Sequence, residues 1–158
     1  MSENDSFVVR PTKGNVVTSV ICSVVFAGFL LWPLLLPGVE LYGMMILMIP
    51  YYMIIGGFFV VSVVMLAYCR RWRLEVKDGH MTLHKLFGEP QTIRLSEVTV
   101  VKFDIIPAAS DYPAEKVQIM TASGKFVTFR DSSKYVSYDG VDKLYALFNA
   151  AGKVELQK

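Results

Sequence analysis

Two histidines in one short segment are the first candidates for chemistry. His80 and His84 are separated by an even number of residues, so on a β-strand both side chains lie on one face, with Asp78 and Glu75 nearby. Two imidazoles with no third strong ligand make a poor zinc site. We interpret both histidines as solvent-facing strand residues and predict that the chain binds no metal and no cofactor.

No motif in the sequence assembles a catalytic centre. A Gly-rich phosphate loop, a GxSxG elbow and an HExxH helix are all absent. Cys22 lies in the first apolar segment and Cys69 at the end of the second, and we expect them to be unpaired because a disulfide would have to join opposite ends of the membrane. The sequence therefore predicts that the protein is not an enzyme and has no catalytic residues.

A cluster of basic residues follows the apolar part of the chain. We interpret it as a topology signal, with specific contact to lipid headgroups as the alternative. Each basic side chain near an anionic leaflet contributes roughly 1 kcal/mol of attraction. The candidate headgroup contacts are Arg70, Arg71, Arg73 and Lys77.

The apolar part predicts a membrane hairpin. Between Lys13 and Arg70, 56 consecutive residues contain one ionisable acid or base, Glu40. About 20 apolar residues span a bilayer core, so the hairpin at 15–69 contains spans at about 16–36 and 45–69. The first span lacks a cleavage site and is expected to be retained. Pro50 either bends the second helix or moves its start toward residue 49.

Charge near the spans predicts the orientation. Basic residues flank both outer ends of the hairpin, and the turn at 37–40 has none. We expect the protein to lie in the inner membrane. The positive-inside rule then places both termini, including the segment 1–14, on the cytoplasmic side. The net charge of +2 gives no argument for nucleic acid as a partner.

Small residues recur within the hairpin. They predict close packing of the two helices, and a seam between copies of the chain is the alternative. Because neither span contains Asp, Glu, Lys, Arg or His, a transporter or pump is disfavoured. The candidate packing or oligomer residues are Ser19, Ser23, Ala27, Gly56 and Gly57.

The last 89 residues have the pattern of a small β-rich domain. Alternating apolar residues predict six strands, at 73–77, 80–84, 91–95, 98–105, 116–121 and 125–130, with a loop at 106–115. The i, i+3, i+4, i+7 spacing from Val141 to Phe148 predicts a helix over 139–151, capped by Asp139 and ended by Gly152. We expect an α+β domain at 70–152 and a tail at 153–158.

The alternation and turns resemble a bacterial family of membrane-anchored proteins with two N-terminal spans and a PH-like domain. The resemblance lies in WRLEVKDGHMTLHKLFGEPQTIRLSEVTVVKFD and KVQIMTASGKFVTFRDSSKYVSYDGVDKLYALFNAAG. It implies an antiparallel sheet or partial barrel of six or seven strands closed by the C-terminal helix. The segment 6–10 is a candidate for the further strand.

Three functions are compatible with these observations. The favoured one is a non-catalytic membrane protein that presents a PH-like domain for interaction with another membrane protein or with its own copies. The alternatives are an oligomeric pore or transport-accessory subunit, and an immunity-type protein that neutralises a membrane-active toxin. The expected partners are membrane lipids and either a second copy or another membrane protein.

Overall fold

The chain divides into a helical unit and a β domain. The computed structural model describes residues 6–35, 41–106, 114–132 and 136–157. The helical unit is Lys13–Arg70, and the β domain combines Met1–Thr12 with Arg71–Lys158. The predicted turn at 37–40, most of the predicted loop at 106–115, and the side chains of residues 41–47 lie outside the described residues.

The helical unit contains α1 (Lys13–Leu31), a 3₁₀ turn (Trp32–Leu35) and α2 (Leu41–Arg71). α1 ends five residues before the predicted end of its span and continues as the 3₁₀ turn. Pro33 has no N–H to donate to the carbonyl oxygen of Phe29, so the α-helical hydrogen bonds stop there. α2 continues through Pro50 as one helix of 31 residues. Two segments, Lys13–Leu31 and Met48–Arg71, are long and apolar enough to cross a membrane.

The β domain is built from two sheets and one helix. The first sheet has the strand order β4-β3-β2-β1-β8, and the second has the order β7-β6-β5-β9. The described strands form two separate sheets rather than a closed barrel. Their bounds are β1 (Phe7–Pro11), β2 (Arg73–Lys77), β3 (His80–His84), β4 (Gln91–Arg94), β5 (Val98–Ile106), β6 (Ala114–Thr121), β7 (Gly124–Asp131), β8 (Tyr138–Asp139) and β9 (Val154–Gln157), and the helix is α3 (Val141–Ala150).

All six strands predicted from alternation are present, as β2 to β7. The Asp78–Gly79 hairpin is confirmed, since Lys77 pairs with His80 and both turn residues have positive φ. The β6–β7 turn is also confirmed, because Thr121 pairs with Gly124. Local pattern and turn chemistry were therefore sufficient for these strands.

β1 realises the further strand proposed for residues 6–10. It pairs antiparallel with β2, with Val8 opposite Glu75 and Val9 opposite Leu74. On its other side it pairs with β8, where Pro11 lies opposite Tyr138. β1 thus lies inside the first sheet, and its Val9 side chain is fully buried.

The core joins the inner faces of both sheets. Trp72 packs against Phe129 of the second sheet and Tyr138 of the first, with ring centroids 5.2 and 4.9 Å away. α3 covers the core with Leu144 and Phe148, which are almost fully buried. The other buried apolar residues on the strands include Leu74, Val76, Met81, Leu83, Val101, Phe103, Val117, Ile119 and Val127.

Both ends of α3 correct or refine the sequence prediction. The residue before the helix is Gly140, with φ 88°, and no side chain caps it, so the predicted Asp139 cap is wrong: Asp139 belongs to β8. At the other end, the N–H of Gly152 donates to Asn149 O and the N–H of Lys153 donates to Phe148 O. This is a Schellman ending, and it confirms Gly152 as the stop.

The predicted tail at 153–158 contains β9, and this prediction is corrected. β9 pairs parallel with β5, with Val101 opposite Val154, so the second sheet is not purely antiparallel. The Lys153 ammonium group donates to the carbonyl oxygens of Leu95 and Val98, and the N–H of Val101 donates to Lys153 O. These bonds attach the end of the chain to the start of β5.

Gly140→Ala should destabilise the β domain. An added Cβ would lie 2.7 Å from the carbonyl oxygen of Val8 in β1, and alanine would have to hold a φ of 88°. The left-handed conformation costs a non-glycine residue roughly 1–2 kcal/mol, and the close contact adds to this cost. The measurement is chemical unfolding of the full chain in detergent, followed by Trp72 fluorescence in a Trp32→Phe background.

Gly152→Ala is the matched control, because it has φ 66° but no atom within 4 Å of the added Cβ. We expect it to lower the unfolding midpoint less than Gly140→Ala does. Equal unfolding midpoints for the two variants would show that the close approach of β1 to Gly140 adds nothing to the destabilisation by Gly140→Ala.

Candidate functional site

Most of the exposed large hydrophobic side chains among the described residues lie on the helical unit. Within the most apolar window of each helix, 6% of the residues are buried. Soluble proteins rarely expose contiguous apolar patches larger than a few hundred Å². Among the described residues between Lys13 and Arg70, no side chain is an acid, lysine, arginine or histidine. A hydrocarbon environment satisfies such a surface, and water does not.

The two helices pack antiparallel. The Ser19 side chain hydrogen-bonds to Cys69, the rings of Phe26 and Phe58 stack at 5.5 Å, and the Tyr51 hydroxyl donates to Phe29 O at 2.6 Å. The start of α1 therefore lies beside the end of α2. This corrects the reason given above for unpaired cysteines: Cys22 and Cys69 are both free, but they do not lie at opposite ends of the hairpin.

The predicted small residues fall into two groups. Ser19 is 9% exposed and lies at the helix–helix contact, and the Ser23 hydroxyl donates to Ser19 O within α1. Gly56 and Gly57 have no atom within 4 Å of a Cβ added to either residue. The glycine pair therefore makes no close helix approach inside this unit, while Ala27 is half-buried. A seam between copies at Gly56 and Gly57 stays a prediction.

The basic cluster is divided by the fold. Arg71 donates from Nη1 to Leu86 O at 3.3 Å, and Arg73 forms an ion pair with Glu75 at 2.9 Å. Lys77 lies at the far end of β2, four residues from Arg73, where its nearest acid is Asp78 at 3.9 Å. Arg70 is exposed at the end of α2. Lys77 thus lies at the opposite end of β2 from Arg73, and contact of these basic residues with lipid headgroups stays a prediction.

The two histidines occupy the predicted outer face of β3, because Met81 and Leu83 between them are buried. His84 Nε2 lies 3.5 Å from Glu75, and His80 Nδ1 lies 2.9 Å from the carbonyl oxygen of Asp78. Among the described residues, no group of three or more His, Cys, Asp or Glu side chains is arranged to hold a metal ion.

A groove of about 660 Å³ beside β1, β8 and the start of α3 was not predicted. Its charged side chains are Arg10 and Lys143 of one sign and Asp139 and Asp142 of the other. Because the charges balance, the groove favours neither an anion nor a cation. No signal in the sequence pointed to it, since β1 and α3 are more than 100 residues apart.

Asp131 links the two sheets at their aromatic core. At the end of β7, its carboxylate accepts a hydrogen bond from the backbone N–H of Tyr138 in β8, at 3.0 Å. Burial raises the pKa of the Asp131 carboxyl above its ordinary value of 3.8; the hydrogen bond from Tyr138 lowers it, and the charge of Asp139 raises it. The charged form is therefore held in a poorly solvated position between the sheets.

Comparison of the chain with protein-family models, curated proteins and solved structures found no match. The fold itself defines an α+β protein with two apolar helices long enough to span a membrane and a separate β-sheet domain.

Asp131→Asn should stabilise the β domain at neutral pH and not at acidic pH. The pKa of Asp131 is higher in the folded state than in the unfolded state. The protonated carboxyl therefore contributes to the unfolding free energy below pH 3.8, and this contribution is lost as the pH rises through the raised pKa. Asparagine stays neutral and keeps an oxygen for the Tyr138 N–H. The check is the pH dependence of the unfolding free energy, followed by Trp72 fluorescence in the Trp32→Phe background.

Asp131→Ala is the control, because it removes the charge and also the acceptor. We expect it to be less stable than Asp131→Asn at every pH, since a part-buried N–H then loses its partner. If the unfolding free energies of Asp131→Asn and the parent differ by the same amount at every pH, the charge of Asp131 does not destabilise the folded domain.

Proposed function

We propose that this chain is a non-catalytic integral membrane protein whose β domain docks another membrane protein, or further copies of itself, at the cytoplasmic face of the inner membrane. The observation that carries the proposal is the division of the chain into an apolar helical unit and a separate β domain. An apolar helical unit, in which no described residue between Lys13 and Arg70 is an acid, lysine, arginine or histidine, is joined to a domain that has its own two-sheet core. In such a chain the helical unit serves as the membrane anchor, and the β domain provides a folded surface for binding.

The orientation in this proposal comes from charge. Arg70, Arg71 and Arg73 follow α2, while Arg10 and Lys13 lie at the start of α1. The positive-inside rule places both sets in the cytoplasm. The connections are short, because Thr12 alone separates β1 from α1, and Trp72 alone separates α2 from β2. The β domain is therefore tethered within a few residues of the membrane at two points.

A PH-like identity for the β domain is part of the same proposal. Two sheets followed by a C-terminal helix support it. The parallel strand β9 and the open arrangement of the sheets depart from the expected barrel. A fold of this kind does not imply lipid-phosphate binding, and the proposal includes none.

The proposed docking surface is the edge of the second sheet at β7. β7 has eight residues and pairs with β6 on one side, which makes it the longest edge strand among the described sheets. An edge strand presents backbone N–H and C=O groups to which another strand can be added. Lys125 and Arg130 on β7 are exposed.

Photo-crosslinking in native membranes tests the docking role. A photoreactive amino acid at Arg130 should give one discrete protein adduct, and the same group at Lys143, exposed on α3, is the matched control that should give none. Two differently tagged copies in one cell distinguish self-association from binding to another protein.

Labelling of a cysteine checks the orientation. Ser123→Cys should react with an impermeant maleimide only in inverted vesicles.

A photoreactive group at Val61, which is 60% exposed on α2, separates the alternatives. Adducts between copies from Val61, with none from Arg130, would contradict the docking role and favour an oligomeric pore.

A further inference from the structure

The β3–β4 loop, Lys85–Pro90, carries an unexplained apolar side chain. Phe87 is 80% exposed, more than any other large hydrophobic residue among those the structure describes, including the residues of the apolar helices. In the β domain, the next most exposed is Leu156, at 66%. A large aromatic ring that is held in water so fully is typical of a contact with a partner or a membrane.

The strand register places this loop at one end of the first sheet. Arg73 lies opposite His84 and Leu83 lies opposite Gln91, so the chain leaves β3 and enters β4 at the end where β2 begins. β2 begins two residues after α2 ends, with Trp72 between them. The loop and the start of β2 therefore share one end of the sheet.

A hydrogen bond ties the loop to the residue that ends α2. Arg71 Nη1 donates to the carbonyl oxygen of Leu86, directly before Phe87. Arg71 lies two residues after Cys69, the last residue of the uncharged segment, which is the place where arginine marks the boundary of a membrane span. The backbone next to Phe87 is thus hydrogen-bonded to a residue that the sequence places at the boundary of the second span.

The loop is closed and shaped so that Phe87 projects from it. The Lys85 ammonium group donates to the Gln91 side-chain oxygen at 2.7 Å across the base of the loop. Gly88, with φ 94°, turns the chain immediately after Phe87. A loop whose bonds already hold its conformation loses less conformational entropy when it inserts its tip than an unconstrained loop does.

The charges around the loop fit an anionic lipid surface. Arg71 and Lys85 are basic, and Glu89 is the one acid within Lys85–Pro90. Arg73, at the same end of the sheet, is paired with Glu75. An aromatic side chain beside basic residues combines insertion into the interface with attraction to anionic headgroups.

We propose that Phe87 inserts into the interface of the anionic leaflet next to the end of α2, so that the β3–β4 loop is a third membrane attachment of the β domain. This contact rests on the membrane location of the helical unit and does not depend on what the domain docks. A failed search for protein partners would leave it standing.

Tryptophan quenching in vesicles tests the proposal on the full chain. Phe87→Trp is made in a Trp32→Phe background, and the emission of the background alone, from the buried Trp72, is subtracted. In vesicles of phosphatidylglycerol and phosphatidylcholine, the added emission should be quenched by lipids brominated on their acyl chains and protected from aqueous acrylamide. Ser123→Trp, on the exposed β6–β7 turn, is the matched control and should show the reverse.

Two outcomes at position 87 would overturn the proposal. Quenching at position 87 by acrylamide and not by brominated lipid would place the loop in water. Protection from both quenchers would mean that a protein surface covers Phe87. Arg71→Met should reduce bromolipid quenching at position 87 and leave Ser123→Trp unchanged; unaltered quenching at position 87 would refute the positioning role of the bond from Arg71 to Leu86.

Discussion

The pairing of β1 with β2 is the interaction on which the rest of this structure depends. β1 precedes the first apolar helix and β2 follows the second, so their register, with Val9 opposite Leu74, closes a chain loop that contains the whole helical unit. Antiparallel packing of α1 and α2, at Ser19 and Cys69, brings the ends of the same loop together. Closing the chain between β1 and β2 costs conformational entropy. Once either the strand pairing or the helix packing has closed this loop, the other forms with little further entropy loss. We therefore expect helix packing and strand pairing to stabilise each other.

The same pairing organises the core of the β domain. β1 carries Val9 into the interior and provides the backbone against which Gly140 packs, so the start of α3 is positioned by a strand more than 100 residues away. Trp72, the single residue between α2 and β2, packs its ring against those of Phe129 and Tyr138, which also contact each other. Although it directly follows Arg70 and Arg71 in the sequence, Trp72 is a buried core residue of the domain.

Features with a local cause could be predicted from the sequence, and features with a distant cause could not. The two apolar helices, the six strands β2 to β7 and the apolar face of α3 follow from period and turn residues within each segment. β8 has two residues and forms against β1, and β9 has four residues and forms against β5, next to the bonds of Lys153. The interior position of β1 depends on β8. In the candidate sites, Lys77 was grouped with Arg73 by sequence distance, but a strand places them at opposite ends, and Phe87 carried no pattern that marked it as exposed.

Disulfide formation across β1 and β2 is the most direct measurement of this pairing. In a chain with Cys22→Ala and Cys69→Ala, Val8→Cys with Glu75→Cys should oxidise readily, because these residues are directly opposite on the outer face of the sheet. Trypsin then releases residues 1–13 and 74–77 as one disulfide-linked pair, which mass spectrometry identifies. Val8→Cys with Lys77→Cys, displaced by one step along the same face, should oxidise much less. Preferential linkage of Val8→Cys to Lys77→Cys, or no linkage in either chain, would contradict the register and with it the closure of the helical unit by β1 and β2.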